Sequence, residues 1–292
     1  MKRRSLNQAM LLWPLFSQLS KTAVKHRSAH PIGMGTWITF DHRLADIDQA
    51  GFVRLLNAFF AGGGQMIDSS PMYGYAQQLL GQLLPLTHGA KSLFSATKVW
   101  TMGQQMGELQ MRESMRLWGL SKINLMYVHN LLDWQVHLPT LKQWQQQGLI
   151  DHIGVTTSHG RRHRELIRVM QQQPIDYVQF SYNIHDREAE QYLLPVAREQ
   201  GIKVVINRPF QTGGLFTRVA GKPLPRWAAE IGCQHWAQFF LKFIVSHPAV
   251  HCAIPATSQV SHMQQNMKAG LGPMPDDAMR QEMVSYWRKM IA

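Results

Sequence analysis

Asp68 and Tyr73 sit together in the stretch Gly62-Gly-Gly-Gln-Met-Ile-Asp-Ser-Ser-Pro-Met-Tyr-Gly74. It reads as a turn, a short buried strand from Gln65 to Asp68, and a polar loop that leaves both residues at the strand's carboxyl end. A tyrosine acts as a general acid near neutral pH when something lowers its ordinary pKa of about 10, and a nearby cation is the usual agent. The sequence should therefore carry a lysine at an equivalent strand end. Lys98 answers that expectation in Phe94-Ser-Ala-Thr-Lys-Val-Trp100, and one strand further on His129 follows in Leu125-Met-Tyr-Val-His-Asn130.

Positioning these four groups requires a regular scaffold. From residue 31 onward strand and helix signals alternate. Strands are expected at 32–37, 65–69, 92–99, 124–129, 152–157, 177–182, 203–207 and 251–255. Helices are expected after Trp37, where Phe52, Leu55, Leu56, Phe59 and Phe60 share a face, and near 75–84, 104–118, 138–148, 162–172, 187–200, 234–246 and 260–269. A last helix from Asp276 carries the apolar stripe Met279, Met283, Tyr286, Trp287 and Met290, suited to packing on the rest.

Eight such units match a single-domain (β/α)8 TIM barrel of the α/β class, with an N-terminal basic extension (1–30) and a C-terminal extra helix on a barrel domain of 31–292. A doubly wound open sheet would want a GxGxxG turn after an early strand, and Gly33 and Gly35 are not followed by one. In a barrel the carboxyl ends of the strands converge on one face, which brings Asp68, Tyr73, Lys98 and His129 to a single site. The plainer alternatives are a buried Asp68–Lys98 ion pair and a core histidine.

Composition narrows the classes. The chain has 292 residues, 45% of them hydrophobic, enough for one large core. Of its net charge of +12, six cations (Lys2, Arg3, Arg4, Lys21, Lys25, Arg27) lie within residues 1–30 with no acid, which leaves +6 for the rest. That remainder does not demand a polyanion, and no nucleic-acid-binding motif appears, so a nucleic-acid partner is not expected. Cys233 and Cys252 form neither a CxxC nor a disulfide framework. No apolar run is long enough for a membrane helix.

Arg3-Arg4 ahead of the apolar run Ala9–Phe16 has the layout of a twin-arginine export signal. No small-x-small cleavage site is clear, so a cytoplasmic location is slightly favoured over a periplasmic one. His159 and His163 have i,i+4 spacing but no third ligand, so no metal site is expected.

The chain resembles the aldo-keto reductases. The likeness rests on Gly33-Met-Gly-Thr-Trp37, the 62–74 stretch, Ala96-Thr-Lys98, Tyr127-Val-His129, Ile153-Gly-Val-Thr156, Gln179 with Tyr182-Asn183, Arg208-Pro-Phe210 and Ile254-Pro-Ala-Thr-Ser258. It runs in order over about residues 31–272. The resemblance implies a barrel that binds a nicotinamide dinucleotide, NADPH by family prior, and reduces a small carbonyl substrate by hydride transfer. Asp68, Tyr73, Lys98 and His129 become its tetrad, with Tyr73 the proton donor, Lys98 the stabiliser of the tyrosinate, Asp68 its support and His129 a donor to the carbonyl oxygen.

The same resemblance implies Thr156, Thr157 and Gln179 at the nicotinamide amide, and the turn of Arg208, Pro209, Phe210, Gly213 and Leu215 along the pyrophosphate. Ser258, His262, Gln265 and Asn266 fall at the adenosine end. Three departures stand out. Asn207 occupies a position where many relatives stack an aromatic ring, and Ala256 and His262 stand where many place a cation for the 2′-phosphate, which leaves NADH use open. The loops that would enclose a substrate look short, with Trp37, Trp100 and Trp134 as candidates to line a shallow pocket. The alternative reading is a nicotinamide-binding regulatory or sensor subunit. The oligomeric state is not legible.

Overall fold

The computed structural model describes residues 30–291. The expectations for the N-terminal extension, twin-arginine export among them, lie outside the described residues. Short apolar segments able to bury both faces suit parallel strands wrapped by helices. Eight are present: β1 (Met34–Gly35), β2 (Met66–Asp68), β3 (Phe94–Val99), β4 (Ile123–Val128), β5 (Ile150–Thr156), β6 (Tyr177–Ser181), β7 (Lys203–Asn207) and β8 (Val250–Ala253). Each pairs in parallel with the next in chain order. Parallel bridges Ile32↔Ala253 and Gly35↔Ala256 join the last strand to the first and close the ring. The expected (β/α)8 barrel is the observed fold.

Helices α1 (Gln49–Ala61), α2 (Ala76–Leu83), α3 (Gln104–Trp118), α4 (Trp134–Gln146), α5 (His163–Gln172) and α6 (Leu193–Glu199) each follow one strand. After β7 come the short α7 (Gly214–Arg218) and α8 (Trp236–Val245), and after β8 come α9 (Val260–Lys268) and α10 (Asp277–Ile291). Asp48 caps α1, its carboxylate accepting from Gly51 N–H at 2.9 Å. Asp276 does the same for α10 through Met279 N–H at 2.8 Å. Met283 and Trp287 of α10 are fully buried, and Trp287 packs edge-on against Phe240 of α8. The core has two parts: a large one between strands and helices, and a smaller one inside the barrel that includes Leu125, Tyr127, Tyr177 and Val205.

Several element bounds differ from the sequence expectation for local reasons. Strand β1 is short because the chain turns directly after it, with Phe40 N–H donating to Thr36 O. Helix α4 begins at Trp134 rather than 138, carrying Pro139 inside its second turn. A proline there reads as a helix start, yet Val136 and His137 N–H already bond Asp133 O. The expected 187–200 helix is a 3₁₀ turn (Glu188–Glu190) and then α6. Pro195 supplies no N–H and its ring opposes a helical carbonyl four residues back, so the helix restarts at Leu193.

Candidate active site

The strand ends on the carboxyl face carry the polar residues. Asp68 is the last residue of β2, Lys98 lies one residue from the end of β3, and His129 follows β4 directly. All three are buried. Tyr73 stands on the turn after β2, where its N–H donates to Ser70 O at 3.0 Å. The next residue, Gly74, has φ of +55° and holds its Cα where a Cβ would lie 1.8 Å from Asp41 Oδ1. Glycine is required at that conformation and contact. Asp41 accepts from Tyr75 N–H at 2.9 Å, so the loop after β1 straps the turn that presents Tyr73.

Lys98 Nζ donates to Asp68 Oδ1 at 2.5 Å and to Ser69 O at 2.7 Å. The other Asp68 oxygen accepts from Gln179 Nε2 at 2.9 Å. Burial pushes the Asp68 carboxyl up and the Lys98 ammonium down, and each charge opposes the effect on the other. Toward Tyr73 the ammonium presents itself over the ring, 5.1 Å from its centroid.

The expected lowering of the phenol pKa is therefore not found. Burial, with the Asp68 charge adding to it, raises Tyr73 above its ordinary value. Lys98 gives two of its N–H bonds to Asp68 and Ser69 O, and burial keeps the phenol protonated. His129 is likewise held neutral, pushed down to about 2 by burial and by the Lys98 charge. Its Nδ1 lies 3.1 Å from Ser70 Oγ, and its ring meets Tyr73 edge-on with centroids 6.0 Å apart.

These groups open on a cavity of about 490 Å³. Of the tetrad, Asp68, Tyr73 and His129 line it, while Lys98 stands behind them. Thr156, Gln179, Arg208, Pro209, Phe210 and Gly213, which the resemblance assigns to cofactor contacts, line it, and so does Trp37. Leu215 is buried in the core and does not line the cavity. Thr157 does not line it either; its backbone N–H donates to Gln179 O and its carbonyl accepts from Asn207 Nδ2.

Ser258, His262, Gln265 and Asn266 fall beyond the cavity, on the β8–α9 loop and on α9, with Ala256 the lining residue nearest in sequence. Trp100, also expected in the pocket, does not line the cavity, although its ring centroid is 6.4 Å from that of His129. The expectation for Trp134 is corrected: it is the first residue of α4 and its indole N–H donates to Glu165 Oε1 at 2.9 Å, away from the cavity.

The structure adds lining residues that the sequence reading did not single out for the pocket. Ile38, Met72 and Asn130 line it beside the tetrad, and His159 and Arg161 line the wall that Arg208 also faces. Only the short hydroxyl-rich run around Ser158 and the basic run from Arg161 hinted at that wall. Among the described residues Asp68 is the one acid lining the cavity, and it is already bonded to Lys98 and Gln179. Burial and the Arg161 charge depress the Arg208 guanidinium, with Asp186 opposing. Such crowding of cations favours an anionic ligand. A Cβ built on Gly213 meets nothing within 4 Å, so the backbone there is open to a bound group.

At the end of β7, Asn207 lines the cavity as an amide rather than a ring. Its Oδ1 accepts from Ser181 Oγ at 2.7 Å and its Nδ2 donates to Thr157 O at 2.9 Å and to Gln179 Oε1 at 3.3 Å. The polar residues of β6, β7 and β2 thus form one connected set. Among the described residues, no group of three metal-binding side chains comes together. No described helix is long and apolar enough to cross a membrane.

Comparison with known proteins agrees with this geometry. The solved structure of an aldo/keto reductase from Klebsiella pneumoniae in complex with NADP and acetate superposes with a TM-score of 0.74 at 20% identity, covering 88% of this chain and 91% of that one. AKR11C1 from Bacillus halodurans, in its holo form, gives 0.69 at 18% identity over 90% and 93%. By sequence the chain is 22% identical to aldo-keto reductase str7 of Strobilurus tenacellus, over 74% of this chain and 75% of that protein. It is 31% identical to pyridoxine 4-dehydrogenase of Escherichia coli (strain K12) over 46% of this chain, which spans 44% of that relative. The model of the aldo/keto reductase family matches residues 31–282, which is most of the sequence and nearly all of the described barrel, and the chain accordingly belongs to the aldo/keto reductase family.

Proposed function

We propose that the protein is a nicotinamide-dependent carbonyl reductase that takes a small aldehyde or ketone, with Tyr73 as the proton donor. The observation that carries this reading is the meeting of Tyr73, His129 and the Asp68–Lys98 pair at one cavity. A Klebsiella pneumoniae relative of the same fold binds NADP, and one from Escherichia coli is named as a dehydrogenase, which supports a pyridine dinucleotide here. The residues suit such a ligand: Arg208 and Arg161 offer charge to a diphosphate, and the open backbone at Gly213 admits one.

When bound, the nicotinamide supplies the hydride. Everything else falls to this chain. The protonated Tyr73 hydroxyl gives its proton to the oxygen of the carbonyl as that oxygen gains charge. Lys98, over the ring at 5.1 Å, stabilises the phenolate that remains, and Asp68 holds Lys98 in place. Neutral His129 offers a hydrogen bond to the same oxygen and fixes its direction. Thr156 and Gln179 border the nicotinamide seat, and Trp37, Ile38 and Met72 give the substrate an apolar wall.

NADPH is the cofactor favoured by the family, and Ala256 and His262 weaken that preference relative to a member with cations there. Titration of NADPH and NADH by fluorescence, followed by addition of a reactive aldehyde, tests binding and turnover together. Oxidation of the reduced cofactor that depends on aldehyde supports the reductase. Binding without turnover across a broad aldehyde panel overturns it in favour of a regulatory subunit.

A further inference from the structure

The His129 side chain makes a single hydrogen bond within the described residues, between Nδ1 and Ser70 Oγ at 3.1 Å. Its remaining neighbours are the rings of Tyr73 and Trp100, which pack without hydrogen bonding. A neutral imidazole carries its one proton on either nitrogen, and the partner of one nitrogen decides the role of the other. Two arrangements satisfy the 3.1 Å contact. Either Ser70 O–H donates to Nδ1, leaving Nε2–H, or Nδ1–H donates to Ser70 Oγ, leaving a lone pair on Nε2.

The surroundings of Ser70 discriminate between them. The side chain is fully buried, so its hydroxyl proton has no water to reach. Its oxygen already accepts from Met72 N–H at 3.4 Å, and among the described residues no other acceptor takes its proton. If Nδ1 carried the hydrogen, Ser70 O–H would be orphaned in the interior, an unfavourable state for a buried donor. With Ser70 donating, the hydroxyl proton has its acceptor and the Nε2–H is left for the cavity that His129 lines.

We propose that Ser70 is a positioning residue that holds His129 as its Nε2–H tautomer, so that the imidazole presents a hydrogen-bond donor to the cavity. This rests on the reductase reading only for its use in turnover. The tautomer itself is a property of the folded chain.

Long-range ¹H–¹⁵N NMR of the histidine-labelled full chain, with His129 assigned by its loss in His129→Gln, reads the tautomer directly. The expected spectrum has a protonated Nε2 and an acceptor Nδ1. Ser70→Ala is expected to move these resonances toward exchange between tautomers and to lower kcat about fivefold to tenfold, the scale of one lost neutral hydrogen bond, with nicotinamide affinity retained. Ser70→Thr keeps the hydroxyl and should restore both readouts. A wild-type spectrum with protonated Nδ1 overturns the proposal, as does Ser70→Ala with unchanged resonances and kcat. Should Ser70→Ala not fold, the wild-type spectrum decides alone. An Nε2–H spectrum in a chain that reduces no carbonyl would sustain the Ser70 assignment while removing the reductase reading.

Discussion

The Lys98 ammonium is 2.5 Å from Asp68 Oδ1 and stands over the Tyr73 ring, 5.1 Å from its centroid. The side chains of Lys98 and Asp68 are 0% and 2% exposed, so each ion depends on the other for its solvation. Removing one member of such a pair strands a charge in the interior, at a cost of about 3–5 kcal/mol. Lys98→Met should therefore lower stability in urea by about that amount, and Lys98→Met combined with Asp68→Asn should recover part of it. Equal destabilisation in the single and double variants would contradict the pairing.

The protonated state of Tyr73 gives a second expectation. Burial and Asp68 raise its pKa, so in the cofactor-free protein its ionisation should be absent from an ultraviolet titration through pH 10, the ordinary tyrosine value of about 10. Tyr73→Phe should reduce single-turnover aldehyde reduction by about 10²–10⁴-fold with nicotinamide binding intact, the usual contribution of general acid catalysis. An equal loss of cofactor binding would make the residue structural instead.

His129 links stability to pH with a definite sign. Its folded pKa is pushed down to about 2, while in the unfolded chain it takes the ordinary value of about 6.5. Between these values the unfolded state holds a proton that the folded state refuses, so unfolding is favoured as pH falls below about 6.5. The contribution is about 1.4 kcal/mol per pH unit, fully present above the unfolded value and lost on acidification toward the folded one. Urea unfolding at pH 6 and pH 4 should show a shallower pH dependence in His129→Asn than in the wild type. Parallel slopes would place the proton elsewhere.

Cofactor choice offers a fourth test at Ala256, which lines the cavity near the start of α9. A lysine there would supply a charge for a ribose 2′-phosphate. Ala256→Lys should tighten NADPH relative to NADH by about tenfold, equivalent to about 1.4 kcal/mol, and the gain should shrink with added salt. Fluorescence titration of both cofactors at two ionic strengths measures it; an unchanged ratio would mean the phosphate lies out of reach.

Much of this arrangement is legible in the sequence because strand ends announce themselves. The apolar residues before Asp68 and His129 mark buried strands, and a polar residue closing such a run sits at the mouth of a barrel. What the sequence hides are choices made through space. Trp134 resembles its neighbours Trp37 and Trp100 in type, yet Glu165 from the next helix draws its indole away from the cavity. Lys98 has two anionic or phenolic candidates nearby and takes the carboxylate. The hydroxyl of Ser70 reads as loop filler until β4 brings an imidazole against it. Proline also misled locally, since Pro139 marks the inside of α4 and Pro195 the break before it could have joined an upstream turn.

The amide of Gln179 spans two tasks, with its nitrogen on Asp68 and its oxygen toward Asn207. That nitrogen carries two N–H bonds and gives one to Asp68, so a ligand can take the second while the first keeps the carboxylate in place. A ligand in that seat and the ion pair would then share one amide group, which ties the position of the first to the position of the second. Substitutions at the far end of this relay, at Asn207 or Ser181, would retune turnover without touching any reacting atom.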